Sequence, residues 1–466
     1  MPWTFMGIST ALSGILAQQR AMDTIGHNVA NVNTPGYRRQ EPLFATRPPW
    51  PAARDREVAG IGGQIGTGVN VETIRRVRDD YLDLQLHDLS GQLGRWAAAE
   101  GALVQVEGVI APAGGADLGA LLDQFWAGWH DLSTRPEDEA ARIALRQQAS
   151  ALAMALRETH AQLSTIRRQM NAAIEDRVSE INTIAEEIAY LNREIGYAIS
   201  KSLAPNDLLD RRDALVAQLT TIVGATASRP DAQGAIAVSI GGRALVQGHD
   251  WYGLGTTPGP LGTVDIRWAA DDGAVNLQAG ELLGMLDARD RLIPGYLGQL
   301  DTIATTLVTR VNSLHVTGYG LDGTAGLRFF VPGSTAANID LNPAILADAR
   351  AIAAAGGPDA PGDGTVALAI ARLADESVIG GRTLNDSYRA LMTQVAADTK
   401  NVRDLHAARR LAWQQVRNQQ QSVYGVNLDE ELANMIATQS AYAASARVLS
   451  AIDEMLEILI MRTAAH

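Results

Sequence analysis

Two apolar seven-residue repeats, one at each end of the chain, constrain its fold more than any other feature. Near the start, large apolar side chains recur at Ile8, Ile15, Met22 and Val29, with Leu12, Leu16 and Ile25 beside them. Near the end they recur at Leu428, Met435, Tyr442, Leu449 and Leu456, with Leu432, Ile436, Ile452 and Leu459 beside them. This spacing places the side chains on one face of a helix. The two terminal helices are therefore expected to pair as a coiled coil, although nearly the whole chain separates them.

A compact stop signal follows the first helix. Asn33 and Thr34 favour leaving the helix, and Pro35 lacks a backbone donor and restricts the residue before it. Gly36 permits a positive φ angle at no steric cost. The sequence therefore predicts a helix that ends in a tight turn near residue 33.

Between the two ends, the pattern changes from helical to β-prone and back. Helical spacing is predicted over residues 79–110, 118–132, 136–200 and 205–224. Short β-prone runs with Gly and Pro turns fill residues 224–280. Helix returns at 281–314, a mixed segment spans 317–381, and two last helices are expected at 386–421 and 428–462. The fold class is thus mainly α with a β-rich outer domain and a long helical bundle in the middle.

This order predicts nested, discontinuous domains. An inner terminal-helix unit combines residues 1–40 and 427–466, and residues 41–78 form a connector with a β-hairpin or loop. A helical middle domain combines residues 79–223, 281–316 and 382–426. The β-rich outer domain is expected to combine residues 224–280 and 317–381.

Composition excludes several classes of protein. At 466 residues the chain is too long for one core. Its net charge of −13 argues against nucleic-acid binding, which needs a basic surface. It has no cysteine, which excludes disulfides and thiolate metal sites. No apolar run approaches the roughly 18 residues that span a bilayer, and the start of the chain does not read as a Sec-type signal peptide.

No set of residues predicts catalysis, a metal site or a cofactor. Asp207, Asp210 and Asp213 lie three apart on one helical face, but Arg211 and Arg212 lie between them, so we expect a solvated face with local ion pairs. The eight histidines are scattered and form no pair with metal-ligand spacing. The sequence therefore predicts a protein that is not an enzyme.

Four stretches resemble the bacterial flagellar axial proteins, and within them the hook-associated family at the junction of hook and filament. Residues 28–40 (NVANVNTPGYRRQ) are similar to the signature that rod, hook and hook-associated proteins share. Residues 205–213, 280–290 and 422–431 narrow the resemblance to the junction family. It implies a structural subunit of the junction that assembles through its terminal helices. A hook or distal-rod protein is the first alternative, and a soluble coiled-coil adaptor is the second.

The resemblance also implies partners and a location. The partners would be other copies of the chain, the hook protein, a second junction protein (hook-associated protein 3) and, through it, flagellin. An export chaperone would bind the C-terminal helix, and no nucleic acid or membrane insertion is expected. The protein would leave the cell through the flagellar type III apparatus without a cleaved signal peptide and act in the extracellular flagellum.

The candidate functional residues follow from these patterns. The N-terminal stripe of the assembly interface is predicted at Ile8, Leu12, Ile15, Met22, Ile25 and Val29. The C-terminal stripe is predicted at Leu428, Leu432, Met435, Tyr442, Leu449, Ile452 and Leu456. The family signature turn comprises Asn31, Asn33, Thr34, Pro35, Gly36 and Tyr37. Because an isolated helix of this length is marginal in water, both ends are expected to be largely disordered before assembly.

Overall fold

A computed structural model describes residues 3–50, 65–112 and 117–463. The chain begins with a long helix and a hairpin: α1 (Trp3–Ala30), β1 (Gln40–Thr46) and β2 (Val69–Arg76). The two strands pair antiparallel, and both contact α1. The connector therefore contains a hairpin, which is one of the two forms that the sequence predicted. Residues 51–64 of the connector lie outside the described ranges.

Four helices follow the hairpin, namely α2 (Asp80–Ile110), α3 (Leu118–Thr134), α4 (Glu139–Ser200) and α5 (Asn206–Val223). An aspartate side chain caps the start of α2 and of α4. Asp79 accepts hydrogen bonds from the backbone N–H groups of Tyr81 and Leu82, and Asp138 accepts one from Ala140. Helix α4 is 62 residues long and joins two separate cores.

The β-prone region forms two small antiparallel sheets. The first contains β3 (Thr226–Ala227), β4 (Ala237–Ile240), β5 (Arg243–Gln247) and β6 (Asp250–Trp251), in sequence order. The second pairs β7 (Leu254–Pro258) with β8 (Val264–Trp268), joined by a 3-10 turn at 260–262. Gly224 has a φ of +65° where α5 ends, which favours glycine because other residues are strained there.

The rest of the chain is again mainly helical. It comprises α6 (Glu281–Asp287), a π turn (Ala288–Leu292), α7 (Ile293–His315), α8 (Pro343–Ala347), α9 (Thr365–Ala371), α10 (Leu384–Tyr424) and α11 (Leu428–Thr463), with 3-10 turns at 349–351 and 372–374. Helix α10 packs along α2, and α11 packs along α1. The predicted class, mainly α with β elements, is confirmed.

Two hydrophobic cores organise the described residues between the terminal helices. The first lies among α2, α3, the N-terminal part of α4, α7 and α10, and contains Trp129, Phe329 and Phe330. The second lies between the C-terminal part of α4, α5 and the sheets, and contains Trp268. A small cluster of Leu82, Leu89 and Val416 joins α2 to the end of α10.

Residues 317–381 do not join the β-rich unit, where the sequence placed them. Most of their buried side chains, including Phe329, Phe330, Ile339 and Leu341, belong to the first core. Glycine, proline and short apolar runs suggested a continuation of the β domain. The segment instead fills the space between α3 and α7, because its aromatic side chains complete a core that those helices leave open.

His315 supports a prediction of acid sensitivity for this core. Its Nδ1–H donates to the carbonyl of Leu327 at 2.7 Å, and its Nε2 accepts from the backbone N–H of Ala353 at 2.9 Å. The bond from Ala353 needs the neutral ring, because a protonated Nε2 cannot accept, and burial lowers the pKa of His315 to about 4. The unfolded chain has the ordinary pKa of about 6.5 and binds the proton first as pH falls.

Stability that depends on neutral His315 is therefore fully present above pH ~6.5 and is lost as pH falls towards 4, by about 3 kcal/mol. His315→Gln keeps one donor and one acceptor but does not titrate. Urea unfolding at pH 7 and pH 4.5 should give a smaller pH dependence for this variant. Equal pH dependence in the two proteins would contradict the prediction.

Candidate assembly surface

Helices α1 and α11 form an antiparallel pair with small side chains at the contact. A Cβ atom at Gly7 would lie 3.0 Å from Ile452 Cδ1, and one at Gly14 would lie 3.0 Å from Ser445 Oγ. From the first of these contacts to the second, the chain advances by seven residues along α1 and goes back by seven along α11, so the two helices are antiparallel. Ala11, Ala17 and Ala21 are buried on the same helix. Small residues let the two helices approach closely, and larger side chains then lie beside the contact.

Some residues of the predicted N-terminal stripe are buried, and others lie at the edges of the helix pair and are partly or largely exposed. Ile25 is buried, and Ile8, Ile15, Met22 and Val29 are half-buried. Leu12 remains 45% exposed, and Leu16 beside it is also exposed. The residues of α1 nearest to α11 are smaller than we predicted, since Gly7 and Gly14 lie at the contact, and Ser13 is buried against β2, where its Oγ accepts from the Val69 N–H.

The predicted C-terminal stripe divides in the same way. Met435, Leu449, Ile452 and Leu456 are half-buried, whereas Leu428, Leu432 and Tyr442 are exposed. Further apolar side chains of α11 are exposed as well: Ile436, Val448, Met455 and Ile458. So many exposed large apolar side chains on one helix are typical of a protein contact. We define the outer ridge as the exposed apolar residues of both helices, namely Leu12 and Leu16 of α1 and Leu428, Leu432, Ile436, Tyr442, Val448, Met455 and Ile458 of α11.

Asn28 joins α1 to the turn and to α11. Its Nδ2 donates to the carbonyl of Gln40 at 2.9 Å and to Glu431 Oε2 at 3.1 Å. Its Oδ1 accepts from the Tyr37 hydroxyl at 2.7 Å and from the Gln40 backbone N–H at 3.0 Å. All these groups are buried or half-buried, so one amide fixes the turn and the register of the two helices together. We did not predict Asn28 as a functional residue.

The signature turn has the predicted local structure. Asn31 accepts from Thr34 through both its carbonyl and its side chain, at 2.9 and 3.1 Å. Gly36 has a φ of +82°, and the Tyr37 N–H donates back to the Thr34 carbonyl. Asn33 and Pro35 are exposed. Asn33 and Pro35 therefore contribute to the turn through their backbone conformation, and their side chains remain available for contact with a neighbouring copy.

An ionic cluster beyond the turn attaches the terminal pair to the helical middle. Arg38 Nη1 lies 2.9 Å from Asp83 Oδ2 of α2. Arg76 Nη1 lies 2.6 Å from Asp210 Oδ1 and 3.0 Å from Asp213 Oδ2, both on α5. Burial raises the pKa of Asp210, although the hydrogen bond from Arg76 opposes that shift. These charges hold three separate parts of the sequence at one point.

This cluster corrects our interpretation of the α5 aspartates as a solvated face. Asp210 is buried, and the arginines that bind it and Asp213 come from the signature stretch and β2 rather than from α5 itself. Arg212 is buried on the other side of α5 and donates to Asn192 and to the carbonyl of Gly234. The spacing of the aspartates could not predict their ion pairs, since Arg76 lies more than 130 residues before Asp210 and Asp213 in the sequence.

Where α10 ends, Tyr424 attaches the second terminal helix to the same place. Its hydroxyl donates to the carbonyl of Asp79 and accepts from the backbone N–H of that residue, both at 2.6 Å. The N–H of Arg39 donates to the Tyr424 carbonyl. Burial raises the pKa of Tyr424 to about 12. The break between α10 and α11 is thereby fixed beside the start of α2.

Two other kinds of site are absent from the described part of the chain. Across residues 3–50, 65–112 and 117–463, no three acidic or histidine side chains gather as a metal ion would require. No helix in these ranges is both long and apolar enough to cross a bilayer. The outer ridge is accordingly the strongest candidate for a functional surface.

Three family models match the chain in order. A model described as flagella basal body rod protein matches residues 8–38. The helical domain of the flagellar hook-associated protein FlgK matches residues 103–330. The C-terminal model of the flagellar basal body rod FlgEFG proteins matches residues 419–461. The two terminal matches contain the predicted stripes, and the middle match is specific to hook-associated proteins.

Curated relatives match along nearly their whole length. Flagellar hook-associated protein 1 of Bacillus subtilis is 27% identical, over 99% of this chain and 98% of that protein. The proteins of the same name from Salmonella typhimurium and Escherichia coli are each 26% identical, over 97% of this chain and 99% of theirs.

A solved structure has a similar fold. The flagellar hook junction protein FlgK from Burkholderia pseudomallei matches with a TM-score of 0.65 and 17% identity. The match covers 73% of this chain and 100% of that one.

Proposed function

We propose that the chain, a structural subunit of the flagellar hook–filament junction similar to flagellar hook-associated protein 1, assembles with other copies through its paired terminal helices. The outer ridge carries this proposal. It exposes large apolar side chains along a helix pair whose own contact is already filled by small ones. Burying such side chains against neighbouring copies stabilises an assembly by roughly 1.5–3 kcal/mol for each one fully buried.

The proposed layers follow from this surface. In a tubular assembly of copies, the inner unit (residues 1–40 and 427–466) would line the central channel. The predicted stripes and the signature turn would lie at its subunit contacts. The helical middle would form the next shell, and the β-rich residues 224–280 would face outward. The ionic cluster supports this arrangement, because it attaches the stretch after the signature turn, and β2, to the helical middle.

The chain is a component of the flagellum, so it contacts other flagellar components. We propose as specific partners the hook protein below, a second junction protein above and, through it, flagellin. An export chaperone would bind the exposed apolar side of α11 before assembly. Export without a cleaved signal peptide is part of the same proposal.

Complementation tests the assignment directly. The full chain is expressed in a strain that makes hooks but lacks its own hook-associated protein 1, and filaments are counted by electron microscopy. Restored filaments are the expected result. Bare hooks that carry the exported, folded protein would contradict the proposal. Hooks restored in a strain without hook protein would instead favour the alternative of a hook or distal-rod subunit.

A further inference from the structure

One stretch of α10 is strongly basic in a chain that is acidic as a whole. Residues 400–417, here called the basic flank, contain five lysines and arginines and one aspartate. Arg409 and Arg410 are exposed, and neither forms an ion pair with any described residue. Leu411 beside them is 68% exposed. This face of α10 thus combines uncompensated positive charge with an exposed apolar side chain.

A stretch of α4 has the opposite character. Residues 172–197, here called the acidic flank, contain six acidic residues and two arginines. Glu175 and Glu186 are exposed, and no ion pair to either is formed within the described ranges. Tyr190 lies one helical turn from Glu186 and is 52% exposed. The net charges of the two flanks, +4 and −4, are equal and opposite.

The fold places the two flanks on opposite sides of one layer. Helix α2 lies between them. One side of α2 contacts α10, where Leu82 and Leu89 cluster with Val416. The other side contacts α5, where a Cβ at Gly91, two residues after Leu89, would lie 3.3 Å from the carbonyl oxygen of Thr220. Helix α5 in turn contacts the acidic flank, through Arg211 with Glu187 and Gln218 with Glu180.

We propose that the basic flank of one copy docks on the acidic flank of the next copy, as a lateral contact outside the terminal helices. A contact between two different faces of identical subunits repeats from copy to copy and generates rings or helices. Charge complementarity of this kind fixes orientation and register between neighbours. Leu411 and Tyr190 would supply apolar contact at its centre. The inference rests on the proposed assembly and adds a second, electrostatic surface to it.

The occupant is a second copy because the chain itself carries the complementary surface. A nucleic acid would meet a chain whose net charge as a whole is −13. An unrelated acidic partner would need neither the exposed tyrosine nor the equal charge.

A charge exchange between two variants tests the contact. Arg409→Glu/Arg410→Glu reverses the two unpaired charges of the basic flank and lowers its net charge from +4 to 0. Glu175→Arg/Glu186→Arg reverses those of the acidic flank and raises its net charge from −4 to 0. In the deletion strain each variant alone should give at least about tenfold fewer filaments, since the reversed charges then face like charges across the contact, which costs several kcal/mol. Together they should restore filaments, because the reversed charges of one variant then face the oppositely reversed charges of the other.

Several outcomes would overturn the inference. Normal filaments with either variant alone would do so, as would bare hooks when both variants are expressed together. Arg229→Glu/Arg328→Glu is the matched control, because it changes the net charge equally at exposed positions elsewhere and should assemble normally. If the unaltered chain also fails to restore filaments, the proposed function fails rather than this contact.

Cross-linking gives a second test that does not depend on charge. Since the chain has no cysteine, Leu411→Cys and Tyr190→Cys in one chain provide the only thiols. Oxidation of assembled junctions should give a ladder of linked copies. Chains with Leu411→Cys or Tyr190→Cys alone should not give that ladder. Absence of the ladder from junctions that assemble normally would contradict the contact, even if a charge variant failed to fold.

Discussion

Replacing Leu432 and Ile436 together with glutamate is expected to abolish assembly while the free subunit keeps its fold. Both side chains lie on the outer side of α11, 51% and 65% exposed, so the change removes no contact inside one copy. In the proposed assembly they become buried, and a buried unpaired carboxylate costs several kcal/mol. Since about 1.4 kcal/mol is a factor of ten, each subunit contact should weaken by at least about 100-fold.

The measurement is the filament count in the deletion strain, together with the thermal unfolding of the purified variant. Leu432→Met/Ile436→Leu keeps the apolar surface and should assemble normally. Met154→Glu/Leu346→Glu adds the same charge at exposed apolar positions far from the terminal pair and should also assemble. Normal filaments with Leu432→Glu/Ile436→Glu would remove the outer ridge from the proposal.

Replacing Arg76 with methionine is expected to destabilise the subunit by about 3–5 kcal/mol, because it leaves Asp210 buried without its charged partner. The two side chains are almost fully buried, and their atoms lie 2.6 Å apart. Asp213 loses a partner at 3.0 Å in the same variant. Urea unfolding followed by circular dichroism gives the change in midpoint and, with an unchanged slope, the change in free energy of unfolding.

Arg75 provides the matched control for this prediction. It precedes Arg76 in β2, but its side chain is 63% exposed and its ion pair with Glu41 spans 3.5 Å. Arg75→Met should therefore change the free energy of unfolding by less than about 1 kcal/mol. Asp210→Asn should recover part of the stability lost in Arg76→Met, since it removes the unpaired charge. Equal stability of Arg76→Met and Arg75→Met would contradict the role of the cluster.

The terminal pairing could be predicted from sequence because its signal is local to each helix. Seven-residue spacing identifies an apolar face wherever it occurs, and two such faces at the chain ends favour each other as partners. The filling of the contact was only partly predictable. Large residues such as Leu12 and Leu432 dominate the periodic pattern and yet stay exposed, whereas the small residues Gly7 and Gly14 lie at the contact with α11.

The ionic cluster and the place of residues 317–381 could not be predicted, and the reasons are physical. Arg38 and Arg76 meet aspartates of α2 and α5 that are distant in sequence, and an exposed ion pair has the same local pattern as a buried one. Phe329 and Phe330 follow a run of glycine and polar residues that is typical of turns. Only the space left open between α3 and α7 determines that they become core.

Hydrogen exchange of α1 and α11 in the free and the assembled protein tests the central claim most directly, namely that neighbouring copies complete the terminal helices. An amide in a helix that opens locally exchanges quickly, and burial of the outer ridge in an assembly should suppress that opening. In dilute solution we expect rapid exchange in residues 3–30 and 428–463, and slow exchange in α4. In isolated junctions the terminal amides should become protected. Terminal helices that are already fully protected in the dilute protein would contradict the claim.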